Sequence, residues 1–283
     1  TKKWNDEEGF LPIGGYSYPF TGSLNGMGYT ISNLFINRSS SYCGLFGRIE
    51  NSNISDLNIN ELRVSGVATS GMIGSSRQSN FNYIRIKNST ITGGSSTGGL
   101  IGSSYSNTIT NCMVVDSVIN GTSGVGGLIG NIDVGSVKNC TTSVHLIGTN
   151  NVGGFIGSSP AYLSEYDVIL FTVDNCTSEL TTESRYPGSY YTDKYIGGFM
   201  GYSLQGLIRG CTANGKISQT NYNGEQSHVG GFIGGCIYTT VENSTSRVFV
   251  EGNSYVGGFI GYLYNRDFNS IYGCDSYGDV IGD

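Results

Sequence analysis

The chain has 283 residues and a net charge of −6 at pH 7, which argues against a nucleic-acid partner because such binding needs a basic surface. Glycine is abundant, at 45 residues, whereas charged residues make up only 13% of the chain. With 37% hydrophobic residues the chain can bury a core, which argues against a disordered protein. No apolar run approaches the roughly 18 residues of a membrane-spanning helix, so no transmembrane segment is predicted.

Residues 1–19 do not share the pattern of the rest of the chain, and we predict that they form an N-terminal cap. They contain the only tryptophan, Trp4, and two of the four prolines. A repeat protein needs a cap because its first repeat would otherwise expose a strand edge. The alternative is a disordered leader. Since the chain begins with Thr1 and shows no signal peptide, we expect a processed form or a fragment of a longer chain.

From residue 20 onward, a block of glycine, two large apolar residues and glycine recurs. The blocks are about 27 residues apart, with two longer intervals between Gly154 and Gly231. A repeat of this length is typical of a protein that stacks similar units along one axis. The glycines that open and close the blocks are Gly44 and Gly47, Gly71 and Gly74, Gly99 and Gly102, Gly127 and Gly130, Gly154 and Gly157, Gly198 and Gly201, Gly231 and Gly234, and Gly258 and Gly261.

A second apolar pattern accompanies the blocks and, with them, predicts three short strands in each repeat. β-Branched and aromatic residues bounded by Gly, Asn and Ser are typical of strands. One apolar residue is followed three positions later by a small or apolar one: Ile31 and Leu34, Ile54 and Leu57, Phe81 and Ile84, Ile109 and Cys112, Val137 and Cys140, Val173 and Cys176, Ile208 and Cys211, Val241 and Ser244, Ile271 and Cys274. A third apolar position follows: Val64, Ile91, Ile119, Ile147, Ile217, Val250 and Ile281.

Three strands in about 27 residues predict one turn of a three-sided helix of parallel strands. We therefore expect an all-β protein, a right-handed parallel β-helix (β-solenoid) of about nine three-stranded coils over residues 20–283. Insertions are expected at about 158–172 and 181–195, where the repeat lengthens. In such a fold, equivalent residues of successive coils stack in columns about 4.8 Å apart.

Two columns are predicted to face the core: the third residue of each block, and the residue two positions before its first glycine, which begins with Tyr42 and Thr69. The second residue of each block, a Leu, Met or Phe, would face outward from a straight strand. We favour a bend at the flanking glycines that turns both apolar residues inward. The alternative is an exposed apolar stripe, which would be a partner surface.

One outward column is predicted to carry alternating charges, at Lys138, Asp174, Arg209 and Glu242 on consecutive coils. Surface ion pairs of this kind contribute about 0–1 kcal/mol each, so the column would fix the register of the coils more than their stability.

Five of the seven cysteines share another column. We favour buried thiols that act as small apolar residues, although some neighbouring pairs could be oxidised. A metal site is disfavoured because sulfur atoms in a line cannot form a tetrahedron, and no cofactor is predicted. The column consists of Cys112, Cys140, Cys176, Cys211 and Cys274, and the other two cysteines are Cys43 and Cys236.

The blocks resemble the GLUG motif, which is named for glycine, leucine, a variable apolar residue and glycine. The resemblance runs from about Ile13 to the end of the chain, and the lead-in has Asn25-Gly26 where Asp-Gly is commoner. GLUG repeats occur in large secreted or surface proteins, including adhesin-like proteins and non-catalytic parts of some bacterial IgA peptidases. The resemblance thus implies an extracellular or cell-surface location and supplies no catalytic residues.

The sequence predicts no catalytic site. The two histidines, His145 and His228, lie in different coils without a companion Ser or Asp in a recognisable arrangement. The least favoured function is a polysaccharide lyase or hydrolase, because the ion-pair column explains Asp174 and Glu242 more simply.

The leading hypothesis is a non-catalytic structural or adhesive protein, a building block of a filament, stalk or coat. It would associate with itself, with another surface protein or with a glycan. Its C-terminal coil shows no cap, which favours end-to-end stacking.

The alternative function is a binding module for glycans or proteins at a tyrosine-rich corner, formed by residues 181–195 and 219–223. Insertions in repeat proteins cluster on one face, which is often the binding face, although a tolerated surface loop is an equal alternative. The candidate binding residues are Tyr186, Tyr190, Tyr191, Tyr195, Tyr222 and Asn223.

Possible N-glycosylation sites, relevant only in a eukaryotic protein, are Asn37, Asn53, Asn88, Asn120, Asn139, Asn175 and Asn243.

Overall fold

The computed structural model describes residues 5, 7–159, 169–184, 194–219, 227–264 and 269–282. All regular secondary structure in these ranges is β-strand. None of the described residues belongs to a helix long and apolar enough to cross a membrane.

The chain winds repeatedly through three sheets, and one coil passes through sheet C, then sheet B, then sheet A. Sheet C contains β4 (Tyr42–Cys43), β8 (Thr69–Ser70), β12 (Ser95–Gly98), β16 (Ser123–Gly126), β20 (Asn150–Gly153), β24 (Lys194–Gly197), β28 (Ser227–Gly230) and β32 (Val256–Gly257). Sheet B contains β5 (Phe46–Glu50), β9 (Ile73–Arg77), β13 (Ile101–Tyr105), β17 (Ile129–Ile132), β21 (Ile156–Ser158), β25 (Met200–Leu204), β29 (Ile233–Ile237) and β33 (Ile260–Leu263).

Sheet A holds the remaining described strands, two or three in each coil. They are β1 (Ser23–Asn25), β2 (Thr30–Ser32), β3 (Phe35–Asn37), β6 (Asn53–Asn60), β7 (Arg63–Ser65), β10 (Asn80–Lys87), β11 (Thr90–Thr92), β14 (Asn107–Thr110), β15 (Met113–Asn120), β18 (Gly135–Lys138), β19 (Thr141–Gly148), β22 (Phe171–Asp174), β23 (Thr177–Ser184), β26 (Gly206–Arg209), β27 (Thr212–Ser218), β30 (Thr240–Glu242), β31 (Thr245–Gly252), β34 (Ser270–Tyr272), β35 (Asp275–Ser276) and β36 (Val280–Gly282).

Each strand pairs in parallel with the equivalent strand of the next coil, which confirms the predicted all-β parallel β-helix. The central column of sheet A runs through Leu24, Ile54, Phe81, Ile109, Val137, Val173, Ile208, Val241 and Ile271. The prediction that Ile31 begins this column is wrong, because Ile31 pairs with Ile59, one corner later in the coil. The same apolar spacing recurs at Ile59 and Leu62, so the pattern alone did not distinguish the two registers.

The bend at the glycine blocks is confirmed, and both apolar residues of each block point into the core. Leu100, Leu128 and Met72 are at most 1% exposed. Phe155 stacks on Phe199 with ring centroids 4.8 Å apart. The same stacking continues through Phe232 to Phe259 at 4.9 and 4.8 Å. Each large side chain buried in this way contributes about 1.5–3 kcal/mol before conformational entropy is subtracted.

Glycine is required at the block because backbones of successive coils touch there. A Cβ atom on Gly127 would lie 2.1 Å from the Gly154 carbonyl oxygen, and one on Gly130 would lie 2.6 Å from the Thr97 nitrogen. The preceding Gly126 is equally constrained, since its Cβ atom would lie 1.9 Å from the Ile129 oxygen. The block from the third coil onward thus begins one glycine earlier than the sequence pattern suggested.

That extra glycine explains an error in one predicted core column. In the first two coils the residue before the block is not glycine, and Cys43 and Ser70 are the fully buried residues there. Ser70 pairs with Thr97, which begins the regular part of the column. Tyr42 and Thr69, which we placed in the core, are partly exposed and face outward.

The corners of sheet A are made by residues with positive φ. The residue after each corner has a side chain that can accept a hydrogen bond from a backbone N–H of the preceding coil. Asn111 and Asn139 both have φ of 54°, a conformation that asparagine tolerates better than most residues. After each corner, the Cys112 N–H donates to Cys140 Sγ at 3.3 Å, and the Cys140 N–H donates to Cys176 Sγ at 3.4 Å. The Cys211 N–H donates to a serine hydroxyl instead.

The cysteine column consists of free thiols, and three of them, Cys140, Cys176 and Cys211, each accept a hydrogen bond from a backbone N–H at the corner of the preceding coil. Cys112, Cys140, Cys176 and Cys211 are 1% exposed, and Cys274 is partly exposed. Burial raises the pKa of the Cys112 and Cys176 thiols above the ordinary value. The protonated thiols also donate, and Cys176 Sγ contacts the Asp174 carbonyl oxygen at 3.3 Å.

Sheet A loses one of its corners between β15 and β19, which shifts one predicted core residue. Asp116 has φ of 51° and no counterpart in β19, so Ser117 pairs with Val144. As a result Leu146, rather than Ile147, pairs with the buried Ile119. At the other end of the sheet Val280, rather than Ile281, pairs with Val250.

The segment before β1 lies against the first coil. The Ile13 N–H donates to the Leu45 carbonyl, and the Phe20 N–H donates to the Arg48 carbonyl, both at 2.9 Å. The extent of the cap over residues 1–19 stays a prediction. The predicted insertions at about 158–172 and 181–195 lie largely outside the described residues.

We predict that Gly127→Ala and Gly126→Ala each destabilise the fold by about 3 kcal/mol or more, because the new methyl group meets backbone atoms that cannot move independently. The measurement is the urea midpoint followed by circular dichroism. Gly15→Ala is the matched control, since a Cβ atom there meets no atom within 4 Å. Equal midpoints for all three variants would contradict the close approach.

Candidate functional site: an aromatic furrow between two sheets

Of the six candidate binding residues in the tyrosine-rich corner, only Tyr195 belongs to the described residues. It lies in β24 of sheet C, directly before the buried Ile196. The other five candidates, Tyr186, Tyr190, Tyr191, Tyr222 and Asn223, lie outside the described residues.

Outward side chains of sheets C and B converge beside Tyr195 and line a furrow on the outer surface. The blocks fold inward, so the residue three positions before each block meets the residue directly after it. In the middle of the furrow, Asn131 Nδ2 donates to Ser96 Oγ across the two sheets at 2.5 Å. The furrow consists of Ser96, Gly124, Asn151, Tyr195, His228 and Tyr255 from sheet C, and Ser103, Asn131, Ser158, Tyr202, Gly235 and Tyr262 from sheet B.

The C-terminal half of the furrow is an aromatic cluster. Tyr195 packs on Tyr202 and on His228, with centroid distances of 4.9 Å in both contacts. His228 also contacts Tyr255 at 4.7 Å and Tyr262 at 4.5 Å. Gly235 leaves room for this packing, because a Cβ atom there would lie 2.3 Å from the Tyr195 ring. His228 is buried beneath the tyrosines.

The cluster presents amphipathic rings to solvent. Tyr255 is 50% exposed, and the flanking Tyr264 is 54% exposed. Burial, with smaller contributions from Cys236 and Tyr264, raises the pKa of the Tyr202 phenol above its ordinary value, so this hydroxyl stays protonated. Such rings offer flat apolar faces with polar edges, which suit binding and supply no nucleophile.

With Tyr264 included, the cluster has six aromatic residues, and the sequence analysis assigned only Tyr195 to a binding site. It missed Tyr202, His228, Tyr255, Tyr262 and Tyr264. The sequence does contain a signal, because Tyr195, His228 and Tyr255 occupy the same position before three successive blocks. Tyr202 and Tyr262 likewise follow their blocks directly. A comparison of the outward positions of successive coils would have identified these aromatic residues. It would not have shown that the two columns converge, because the convergence depends on the inward fold of the glycine block.

The two histidines are on different sheets, so they do not form one site. His145 lies in β19 of sheet A, with Nδ1 2.8 Å from Thr181 Oγ1. It lines a shallow groove of about 360 Å³ together with Glu179 and Lys216, where the sheet loses its corner. Among the residues that the structure describes, no three His, Cys, Asp or Glu side chains are grouped so that they could hold a metal ion.

Four of the seven possible glycosylation asparagines form corners of sheet A. Asn88, Asn139, Asn175 and Asn243 have φ between 47° and 54°. The following Ser or Cys accepts a hydrogen bond and the next Thr opens a strand, as in Asn175-Cys176-Thr177. The Asn-x-Thr pattern thus has a structural cause, and glycosylation at these residues stays a prediction.

The charged column on sheet A is in register across four coils. Lys138 pairs with Asp174, Asp174 with Arg209, and Arg209 with Glu242. Arg209 Nε donates to Asp174 Oδ1 at 2.7 Å, and Lys138 Nζ lies 3.4 Å from Oδ2. Burial opposes ionisation of Asp174, but Arg209 and then Lys138 outweigh it and lower the pKa of this carboxyl.

Comparison with known protein families identifies the GLUG motif at residues 193–218, which include β24, β25 and two residues of the aromatic cluster, Tyr195 and Tyr202. Halomucin from Haloquadratum walsbyi is 43% identical over 58 residues, which cover 18% of this chain and 1% of halomucin. The match therefore represents a very small part of that protein.

Two solved structures share the fold at low sequence identity. An IgA1 protease superposes with a TM-score of 0.52 and 18% identity, covering 92% of this chain and 17% of that one. A candidate immunoglobulin A1 protease from Bacteroides ovatus superposes with a TM-score of 0.50 and 15% identity, covering 95% of this chain and 79% of that one. At these identities the likeness concerns the fold alone.

We predict that Asp174→Asn lowers the urea midpoint at pH 7. The lowered pKa means that the folded protein binds this proton less tightly than the unfolded chain. The carboxylate therefore stabilises the fold above the ordinary pKa of 3.8, and that contribution is lost as the pH falls through the lowered value. The gap between the variant and the wild type should close at low pH. Asp116→Asn, at an exposed position, is the control, and a gap independent of pH would contradict the assignment.

Proposed function

Because this chain is a GLUG-motif repeat protein with a β-helix fold, we propose that it is a non-catalytic protein of the cell surface or the extracellular space, serving as a rigid structural or adhesive element. The GLUG match and the partial similarity to halomucin support this location. The proposal extends to residues 20–283 as one β-helical unit.

The observation that carries the proposal is the unbroken interior of the rod. The column from Leu24 to Ile271 passes through sheet A with every neighbour in register. Between its ends Ile54, Ile109 and Val241 are at most 1% exposed. A stack in which each coil contacts its neighbours through continuous hydrogen bonds and a single core is a stiff spacer.

End-to-end assembly into a filament is a more specific hypothesis. The geometry of the last described strands does not distinguish it from pairing with a further coil of the same chain. The last described strands, β34 and β36, expose Ile271, Val280 and Ile281 by 38%, 45% and 52%. Either a further coil of the same chain or a second molecule would pair with such an edge.

The test combines electron microscopy with activity assays. Nine positions in the sheet A column, at about 4.8 Å each, predict single rods about 43 Å long. Incubation with immunoglobulin A1, and with a panel of acidic and neutral polysaccharides, should release no product. Turnover of either substrate class would overturn the non-catalytic proposal, and filaments with the same axial repeat would establish self-assembly.

A second candidate function is a binding module that uses the tyrosine-rich corner. It is favoured by the position of Tyr195 in the aromatic cluster, where its neighbour His228 also contacts the half-exposed Tyr255. In this function the β-helix is the support, and the furrow contacts a glycan or a protein partner.

We predict that the double variant Tyr255→Ala and Tyr264→Ala weakens retention on immobilised polysaccharide or mucin columns by tenfold or more. The reason is that both exposed ring faces are removed while the buried His228 stays. Tyr29→Ala is the control, because Tyr29 is 73% exposed and is distant in sequence from the cluster. Equal retention of the double variant and the control would exclude the aromatic cluster as the contact surface.

A further inference from the structure

An open cavity of about 770 Å³ lies where the N-terminal segment meets the first coil. Its walls include the rings of Tyr16, Tyr18 and Tyr42, and three consecutive serines at 39–41. Tyr16 and Tyr18 are 72% and 86% exposed. Sites for small molecules commonly have volumes of about 300–1,000 Å³ and combine aromatic walls with a few polar groups. The cavity has the size and the lining of such a site.

The cavity lies at the N-terminal end of the two outward columns that form the furrow. Tyr42 pairs with Thr69 in the outward column of sheet C, and Arg48 pairs with Ser75 in the outward column of sheet B. The same inward fold of the glycine block that brings Tyr195 and Tyr202 together therefore also places Tyr42 beside Arg48.

Hydrogen bonds and ring contacts hold the walls in place. Gly15 donates its N–H to the Tyr18 carbonyl at 2.9 Å, which closes a turn across the cavity mouth. The Tyr16 ring is parallel to the Tyr42 ring within 6°, with centroids 6.4 Å apart. The Arg48 guanidinium covers the Tyr16 ring at 5.1 Å. A cavity that is already formed costs little conformational entropy to fill.

The described charges around the cavity are already paired within the protein. Arg38 Nη1 donates to the Glu8 carboxylate at 2.5 Å, and its other nitrogens donate to the carbonyls of Gly9 and Phe10. Arg48 forms an ion pair with Glu50. What the cavity offers a ligand is therefore aromatic faces and serine hydroxyls, without a net charge among the described lining residues.

We propose that this cavity binds a short neutral oligosaccharide. The apolar faces of the sugar rings stack on Tyr16 and Tyr18, and the sugar hydroxyls exchange hydrogen bonds with Ser39 and Ser41, since Ser40 Oγ already bonds to the Tyr42 carbonyl and Cys43 Sγ. A folded protein partner fits less well, because a specific interface needs about 20–30 residues on each side and the cavity is lined by 12. This proposal is independent of the proposed structural function, which is tested separately by electron microscopy and by the activity assays.

Gly15 provides a direct steric test. A Cβ atom on Gly15 meets no atom within 4 Å, so a larger side chain there extends into open space without disturbing the backbone. Gly15→Leu should therefore obstruct the cavity in a folded protein, and Gly15→Ala should obstruct it less. Tyr18→Ala removes the most exposed ring. Tyr29→Ala is the matched control, at a tyrosine of similar exposure outside the cavity.

The measurement is isothermal titration of the 283-residue protein with cellotetraose, maltotetraose, mannotetraose and a heparin-derived tetrasaccharide. We expect at least one neutral tetrasaccharide to bind, with the affinity reduced tenfold or more in Tyr18→Ala and Gly15→Leu. The affinity should be unchanged in Tyr29→Ala. Circular dichroism checks that each variant is folded.

Three results would overturn the proposal: no binding of any neutral tetrasaccharide, binding of the sulfated tetrasaccharide alone, or the same affinity in folded Gly15→Leu as in the wild type. If the double variant at the furrow loses the affinity instead, the sugar site is at the aromatic cluster and the assignment to this cavity is wrong.

Discussion

Backbone contact between successive coils at the glycine block is the constraint on which the rest of this structure depends. A Cβ atom on Gly126 would lie 2.6 Å from the Gly157 nitrogen of the next coil, and one on Gly231 would lie 2.0 Å from the Gly258 oxygen. Only because the chain can close to this distance does it fold inward between sheets C and B. The inward fold buries both apolar residues of each block, and it lets phenylalanine rings stack through the middle of the rod.

The same inward fold determines the shape of the outer surface. Side chains that precede and follow a block converge above it, and in the middle coils these are small or polar, as at Ser96 and Asn131. Near the C-terminal end they are Tyr195, His228 and Tyr262. One backbone geometry therefore supports a polar stretch and an aromatic cluster in a single furrow. Function in such a fold depends on which outward side chains occupy these positions.

A second constraint acts at the corners of sheet A, where the strand direction changes and a backbone N–H turns away from the ladder. The structure satisfies this N–H with the side chain of the next coil, by Cys176 Sγ for Cys140 and by Ser89 Oγ for Leu62. Since a buried N–H without a partner costs about 1–3 kcal/mol, the corner selects Ser, Cys, Thr or Asn. This selection is the physical origin of the cysteine column.

The sequence by itself determined the fold class, the stacking of equivalent residues, the charged column and the cysteine column, because each of these depends on a residue type that recurs with the period of the coil. It also placed Tyr195 in the candidate site. The tertiary structure alone decided which residues face each other across coils and sheets. It moved Tyr42 and Thr69 out of the core, replaced Ile147 by Leu146, and brought Tyr202, His228, Tyr255 and Tyr262 around Tyr195. The reason is that a gain or loss of one residue at a corner reverses the face of every residue in the strand that follows, and the convergence of two sheets depends on backbone bending that has no period in the sequence.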